Sequence, residues 1–136
     1  MIGYCRPRVI NVSDTEVVLS IPLNRRTRNH VGSMYIGAMT VGVDFVTGLT
    51  AMISIKKSKK NIVLIFKDLK SSFIKRAEGE TFFTCNHTKE IEAAVKKVVD
   101  SKKRVNIEVP IIATVPEKFG DEPVAEFTIT LSMKEK

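Results

Sequence analysis

From Met34 to Ile55 the chain runs for 22 residues with one charged side chain, Asp44. A segment so long and apolar either crosses a bilayer's hydrocarbon core or forms a helix enclosed by protein on most sides. Thr40, Thr47, Thr50 and Ser54, with glycines at 37, 42 and 48, leave the run only moderately hydrophobic. Strand-like segments follow from Asn61 onwards. The expectation is therefore a buried core helix and no membrane span, with the basic run Lys56, Lys57, Lys59 and Lys60 as its solvated end.

Asp44 is the residue that such a helix must accommodate. A buried carboxylate costs several kcal/mol unless it is paired, hydrogen-bonded or neutralised. Each glycine inside the helix costs about 1 kcal/mol relative to alanine. Close approach of another backbone would offset that cost, and positions 37, 41, 44, 48 and 51 share one small-residue face at helical spacing. Asp44 is expected to look out from this face between closely packed elements.

The flanking segments alternate in the manner of strands. Arg8 to Asn11 and Glu16 to Pro22 read as one strand broken at Ser13-Asp14, with a β-branched run in VVLSI. Ile62 onwards gives a long strand with only partial alternation, then a turn at AEGE and a strand over Glu80 to His87. Thr88 is placed as the cap of a second helix, whose stripe is Ile91, Ala94, Val95, Val98 and Val99. RVNIEVPIIATV and EPVAEFTITLSM supply the last two strands, joined by PEKFGD. The expected class is α+β, a curved and largely antiparallel sheet of five or six strands wrapped around one long helix, in a single domain over residues 1–136.

Composition narrows the function classes. The chain is 43% hydrophobic and 27% charged, without a low-complexity tract or internal repeat. Cys5 and Cys85 lie far apart and imply neither a disulfide framework nor a zinc site, which fits a reduced, cytoplasmic setting. Met1 to Pro22 lacks the apolar core of a secretory signal. No P-loop, dinucleotide fingerprint or HExxH is present, so no cofactor or metal is expected. The net charge of +7 would suit a polyanion, but there is no aromatic interleaving or recognition helix, and nucleic acid is not expected. The clusters Arg25 to Arg28, Lys56 to Lys60 and Lys75-Arg76 read as solvated ends of elements that could also grip phosphates. His30 reads as a solvated loop histidine, and the pair Cys85 and His87 lacks a third ligand.

Asn29, Gly32, the segment Tyr35-Ile36-Gly37-Ala38, Asp44 and the turn FIKRAEGE occur in an order and spacing that resemble the hotdog superfamily. The likeness is to small acyl-CoA thioesterases of the phenylacetate-degradation type, and more closely to a poorly characterised thioesterase-like branch. The resemblance implies Asp44 as general base or nucleophile of thioester hydrolysis, with Asn29, Tyr35 and the backbone N–H groups near Ile36 and Gly37 around the thioester oxygen. Gly32 and Phe66 would complete the substrate contacts. In such enzymes the site forms across a dimer, so a homodimer or tetramer acting on acyl-CoA or another acyl thioester is implied. The family's helix-opening histidine is Tyr35 here, and the following glycine is Ile36. A non-catalytic acyl- or lipid-binding module is the alternative.

Overall fold

The computed structural model describes residues 2–136. Its elements are α1 (Ile2–Cys5), β1 (Arg8–Val12), β2 (Val17–Ile21), α2 (Ile36–Ser58), β3 (Ile62–Phe73), β4 (Thr81–Cys85), α3 (Thr88–Ser101), β5 (Val105–Thr114), α4 (Pro116–Phe119) and β6 (Pro123–Glu135). Six strands form one sheet in the order β1-β2-β4-β5-β6-β3, and every neighbouring pair is antiparallel.

Alternation turns one set of side chains towards the helix layer. Leu19 stands opposite Phe83, and Val109 and Ile111 stand opposite Ile129 and Phe127; all six are buried. Burying a side chain of this size contributes about 1.5–3 kcal/mol, which makes the inner face of these strands the main source of stability. Helix α2 lies on that face with Ala38, Val43, Val46 and Ala51 fully enclosed. The apolar run is thus the core helix of a sheet-and-helix domain. It begins after Tyr35, whose backbone is extended, and ends where Lys59 turns left-handed and donates its N–H to the Lys56 carbonyl. Helix α3 buries Ile91, Ala94, Val95 and Val98 and closes the second end of the core with Ile55, Ile62 and Met133.

Several expectations are corrected. The break at Ser13-Asp14 is a hairpin turn joining two antiparallel strands, not an interruption of one strand. Ser13 drives the reversal, because its hydroxyl accepts the N–H groups of Thr15 and Glu16. Thr88 is the first helical residue of α3, with His87 in the cap position, and its hydroxyl makes no capping bond. Among the described residues, aromatic side chains and not another backbone are what the glycines of α2 meet. A Cβ on Gly42 would collide with the ring of Phe83, a Cβ on Gly37 with the ring of Tyr35, and the nearest atom to one on Gly48 is Cζ of Phe66 at 3.7 Å. Aromatic rings from this same chain occupy the spaces that the glycines leave.

Candidate functional site

Asp44 stands in the third turn of α2 at a place where the helix is incompletely covered. Thr40, Asp44 and Gly48 are half-buried and Met52 is exposed, so a ridge of four-residue steps runs along the open side of an otherwise enclosed helix. The opening lies beside β3, which pairs only with β6 and forms one edge of the sheet. There Asp44 lines a cleft of about 310 Å³ with Thr40, Phe66, Lys67, Asp68, Leu69 and Ile129.

A bulge shapes this cleft. The β3–β6 register shifts between Phe66 and Asp68, leaving Lys67 as the extra residue. Phe66 and Leu69 consequently both face the helix, although an unbroken strand would turn residues three apart to opposite sides. Asp68 is held on the other face by the Thr130 hydroxyl, which donates to its carboxylate at 2.6 Å. Asp44 has no such partner among the described residues. Burial alone pushes its pKa above the ordinary carboxylate range.

The other predicted residues gather elsewhere, at the start of α2. Asn29 organises the loop: its side-chain oxygen accepts the N–H groups of Val31 and Ser33, both at 3.0 Å. Gly32 takes a positive φ of 80° within the same turn, a conformation glycine adopts without strain. Tyr35 lays its ring over Gly37, and its hydroxyl meets the buried Cys5 thiol. Burial, followed by the neighbouring Cys5 and Tyr4, raises the Tyr35 phenol. Ile36 opens the helix with 63% of its surface exposed. Among the described residues no side chain caps α2, so the first N–H groups of the helix have no side-chain acceptor from them.

Within one chain these are two separate groups. Asp44 lies nine positions beyond Tyr35 on the same helix axis, about 13 Å at 1.5 Å per residue. Of the predicted residues, only Phe66 lines the Asp44 cleft.

Sequence reasoning missed two contributors. Arg76, read as part of a solvated cluster, donates to the Val31 carbonyl at 2.7 Å and to the Ser33 hydroxyl at 3.1 Å, so it pins the Asn29 loop to the turn after β3. The Met34 N–H completes this tie by donating to the Ala77 carbonyl. The bulge at Lys67 that sets both Phe66 and Leu69 on the cleft side was also missed. Its one signal was the loss of clean alternation after Phe66.

A long core helix on a six-stranded antiparallel sheet, with its lone acid opening beside an edge strand, defines a hotdog-fold domain. The chain belongs to the family described as Domain of unknown function (DUF4442), whose model matches residues 2–133. Searching curated protein sequences yields no match. Among solved structures, the chain is similar to a Pseudomonas aeruginosa protein of unknown function described as a probable thioesterase, with 18% identity, 98% of this chain and 86% of that chain covered, and a TM-score of 0.82. A protein of unknown function from Chlorobaculum tepidum superposes with a TM-score of 0.83 at 10% identity, covering 98% of this chain and 85% of that one. A thioesterase from Haemophilus influenzae gives 0.71 at 8% identity, covering 98% and 82%. At these identities the likeness establishes the shared fold.

Proposed function

We propose that the protein is a homodimeric hydrolase of acyl thioesters, with acyl-CoA as the favoured carrier and Asp44 as its central group. The observation that carries this reading is the Asp44 carboxyl itself, unpaired in a core helix and open to a cleft at an uncovered sheet edge. The edge supports the dimer. Strand β3 spans twelve residues with one lateral partner, and Phe73, which faces the helix side, is 51% exposed. Unpaired backbone groups and uncovered apolar side chains on one edge suit pairing with a second copy. A two-fold pairing across β3 would bring Asp44 of one protomer towards the partner's helix start, joining the two groups that one chain keeps apart.

In the mechanism, the Asp44 carboxylate takes a proton from water while the water oxygen bonds to the thioester carbonyl carbon. The carbonyl oxygen becomes an oxyanion, met by the uncapped N–H groups at Ile36 and Gly37 and by the amide of Asn29. Collapse breaks the C–S bond, and the departing thiolate takes the proton back from Asp44. In the variant of this route Asp44 attacks directly, forming an acyl anhydride that water then opens. Two free cysteines agree with a reducing, cytoplasmic setting.

One observation favours a second reading. The Tyr35 ring covers Gly37, where an oxyanion donor is needed, and this suits a module that binds an acyl thioester without cleaving it. Release of free thiol from a panel of acyl-CoAs separates the two. Turnover that disappears in Asp44→Asn supports hydrolysis, saturable binding without turnover supports the binding module, and turnover retained in Asp44→Asn removes Asp44 from the mechanism.

A further inference from the structure

Asp44, Gly48 and Met52 follow one another along α2 in steps of four residues, about 6 Å each, and all three lie on the open side of the helix. Two clefts lie along this ridge. Upstream is the Asp44 cleft of about 310 Å³, at the lower end of the usual size for small-molecule sites. Downstream is an apolar groove of about 520 Å³ floored by Leu49, Met52, Ile53 and Ile55, with Lys56, Lys59 and Lys60 along its rim.

Phe66 stands between them. Its side chain lines the upstream cleft, and Cζ sits 3.7 Å from the position of a Cβ on Gly48, one turn past Asp44 and one turn before Met52. The ring lies across the helix at this point because glycine offers no side chain to deflect it. Phe66 is also the residue immediately before the bulge and is 38% exposed, so it is a boundary of the cleft and not a member of the enclosed core.

Resting on the thioester reading above, we propose that Phe66 is a specificity-determining residue, a chain-length stop that confines the substrate to short or compact acyl groups. The apolar walls given by Phe66, Leu69 and Ile129 receive the first carbons beyond the thioester carbonyl. A longer chain directed along α2 meets the Phe66 ring before it can reach the Leu49–Ile55 groove. Exclusion is steep because a single methylene in an apolar site changes recognition by about tenfold or more.

The test measures binding of non-hydrolysable straight-chain acyl-CoA thioethers, from butyryl to myristoyl analogues, to the intact protein by calorimetry. The readout is independent of turnover. Wild type should prefer the short analogues and bind the decanoyl analogue at least about tenfold more weakly. Phe66→Ala should move the preference to long chains while weakening the butyryl analogue, whose first carbons lose one apolar wall, and the conservative Phe66→Leu should fall between. Met52→Lys added to Phe66→Ala places a charge on the groove floor and should cancel the long-chain gain. Equal affinity for all lengths in wild type, or a length profile unmoved by Phe66→Ala, overturns the stop while leaving the thioester reading in place. Failure of wild type to bind any thioether removes that reading and the stop together.

Discussion

Asp44 and two glycines of α2 show how differently neighbouring residues of one helix are constrained. At Gly42 an added methyl would enter the Phe83 ring, which is fully buried and has no free direction in which to move. The gain in helix propensity, about 1 kcal/mol, is opposed by overpacking of about 1–3 kcal/mol. Gly42→Ala should therefore bring no gain and lower stability by up to about 2 kcal/mol in urea unfolding. At Gly48 the same methyl would make an ordinary contact at 3.7 Å. Gly48→Ala should accordingly raise stability by about 0.5–1 kcal/mol, and a loss there would mean that something beyond this chain approaches the helix.

Asp44 makes a prediction of opposite sign at the two ends of the pH scale. Burial raises its pKa, so the folded chain holds the proton more readily than the unfolded chain does. The stability associated with that proton is complete below the unfolded value, about 3.9, and is lost as pH rises through the raised folded value. Asp44→Asn should thus melt higher than wild type at pH 8, with the difference vanishing towards pH 4, as scanning calorimetry at both values would record. Under the proposed mechanism activity would run the other way, since a base acts only when ionised. Turnover should climb with pH along a limb set by Asp44, displaced upwards from an ordinary carboxylate, and a pH–rate profile flat over that range would contradict the assignment.

Among the elements, β3 carries the most consequence. Its outer edge is unpaired, its inner face exceeds what α2 covers, and its bulge sets the wall of the Asp44 cleft. Phe73 lies at the end of this strand, half exposed, with its ring edge-on to Phe127 at 5.9 Å. Phe73→Lys should weaken self-association by at least about tenfold, roughly 1.4 kcal/mol, and sedimentation velocity across a dilution series would register the shift. An unchanged distribution of species would direct attention to the opposite edge, β1. Helix α2 contributes in another way. Its rigid axis fixes Asp44 and Tyr35 about 13 Å apart, a distance that side-chain motion within one protomer does not close.

For the whole molecule, a site shared between two protomers ties stability to concentration. A dimer that binds only folded chains raises the apparent Tm as protein concentration rises. Tenfold more protein should therefore melt at a measurably higher temperature, and a Tm independent of concentration would argue against the shared site. The two long helices α2 and α3 and the strands β3 to β6 were legible because each rests on a local period, whereas the one-turn helices α1 and α4 are too short to show one. The apolar span of α2, the stripe Ile91, Ala94, Val95 and Val98, and the alternation of β6 all repeat within one short window. Asp44 was legible for a related reason, as the single charge in that apolar span. The hairpin at Ser13 was less so, because a two-strand reversal and a broken strand present the same residue types.

What the sequence alone determined, then, is the longer elements, their apolar faces and the acid that one of them must carry, since these follow from spacing along the chain. Tertiary structure decided which ring fills each glycine gap, which edge stays open, and which residues surround Asp44. Gly42 meets Phe83, Gly48 meets Phe66 and Arg76 holds Val31 across separations that no local period spans. Such contacts depend on strand order and register, and these are settled when all the apolar faces are buried together, not by any one segment.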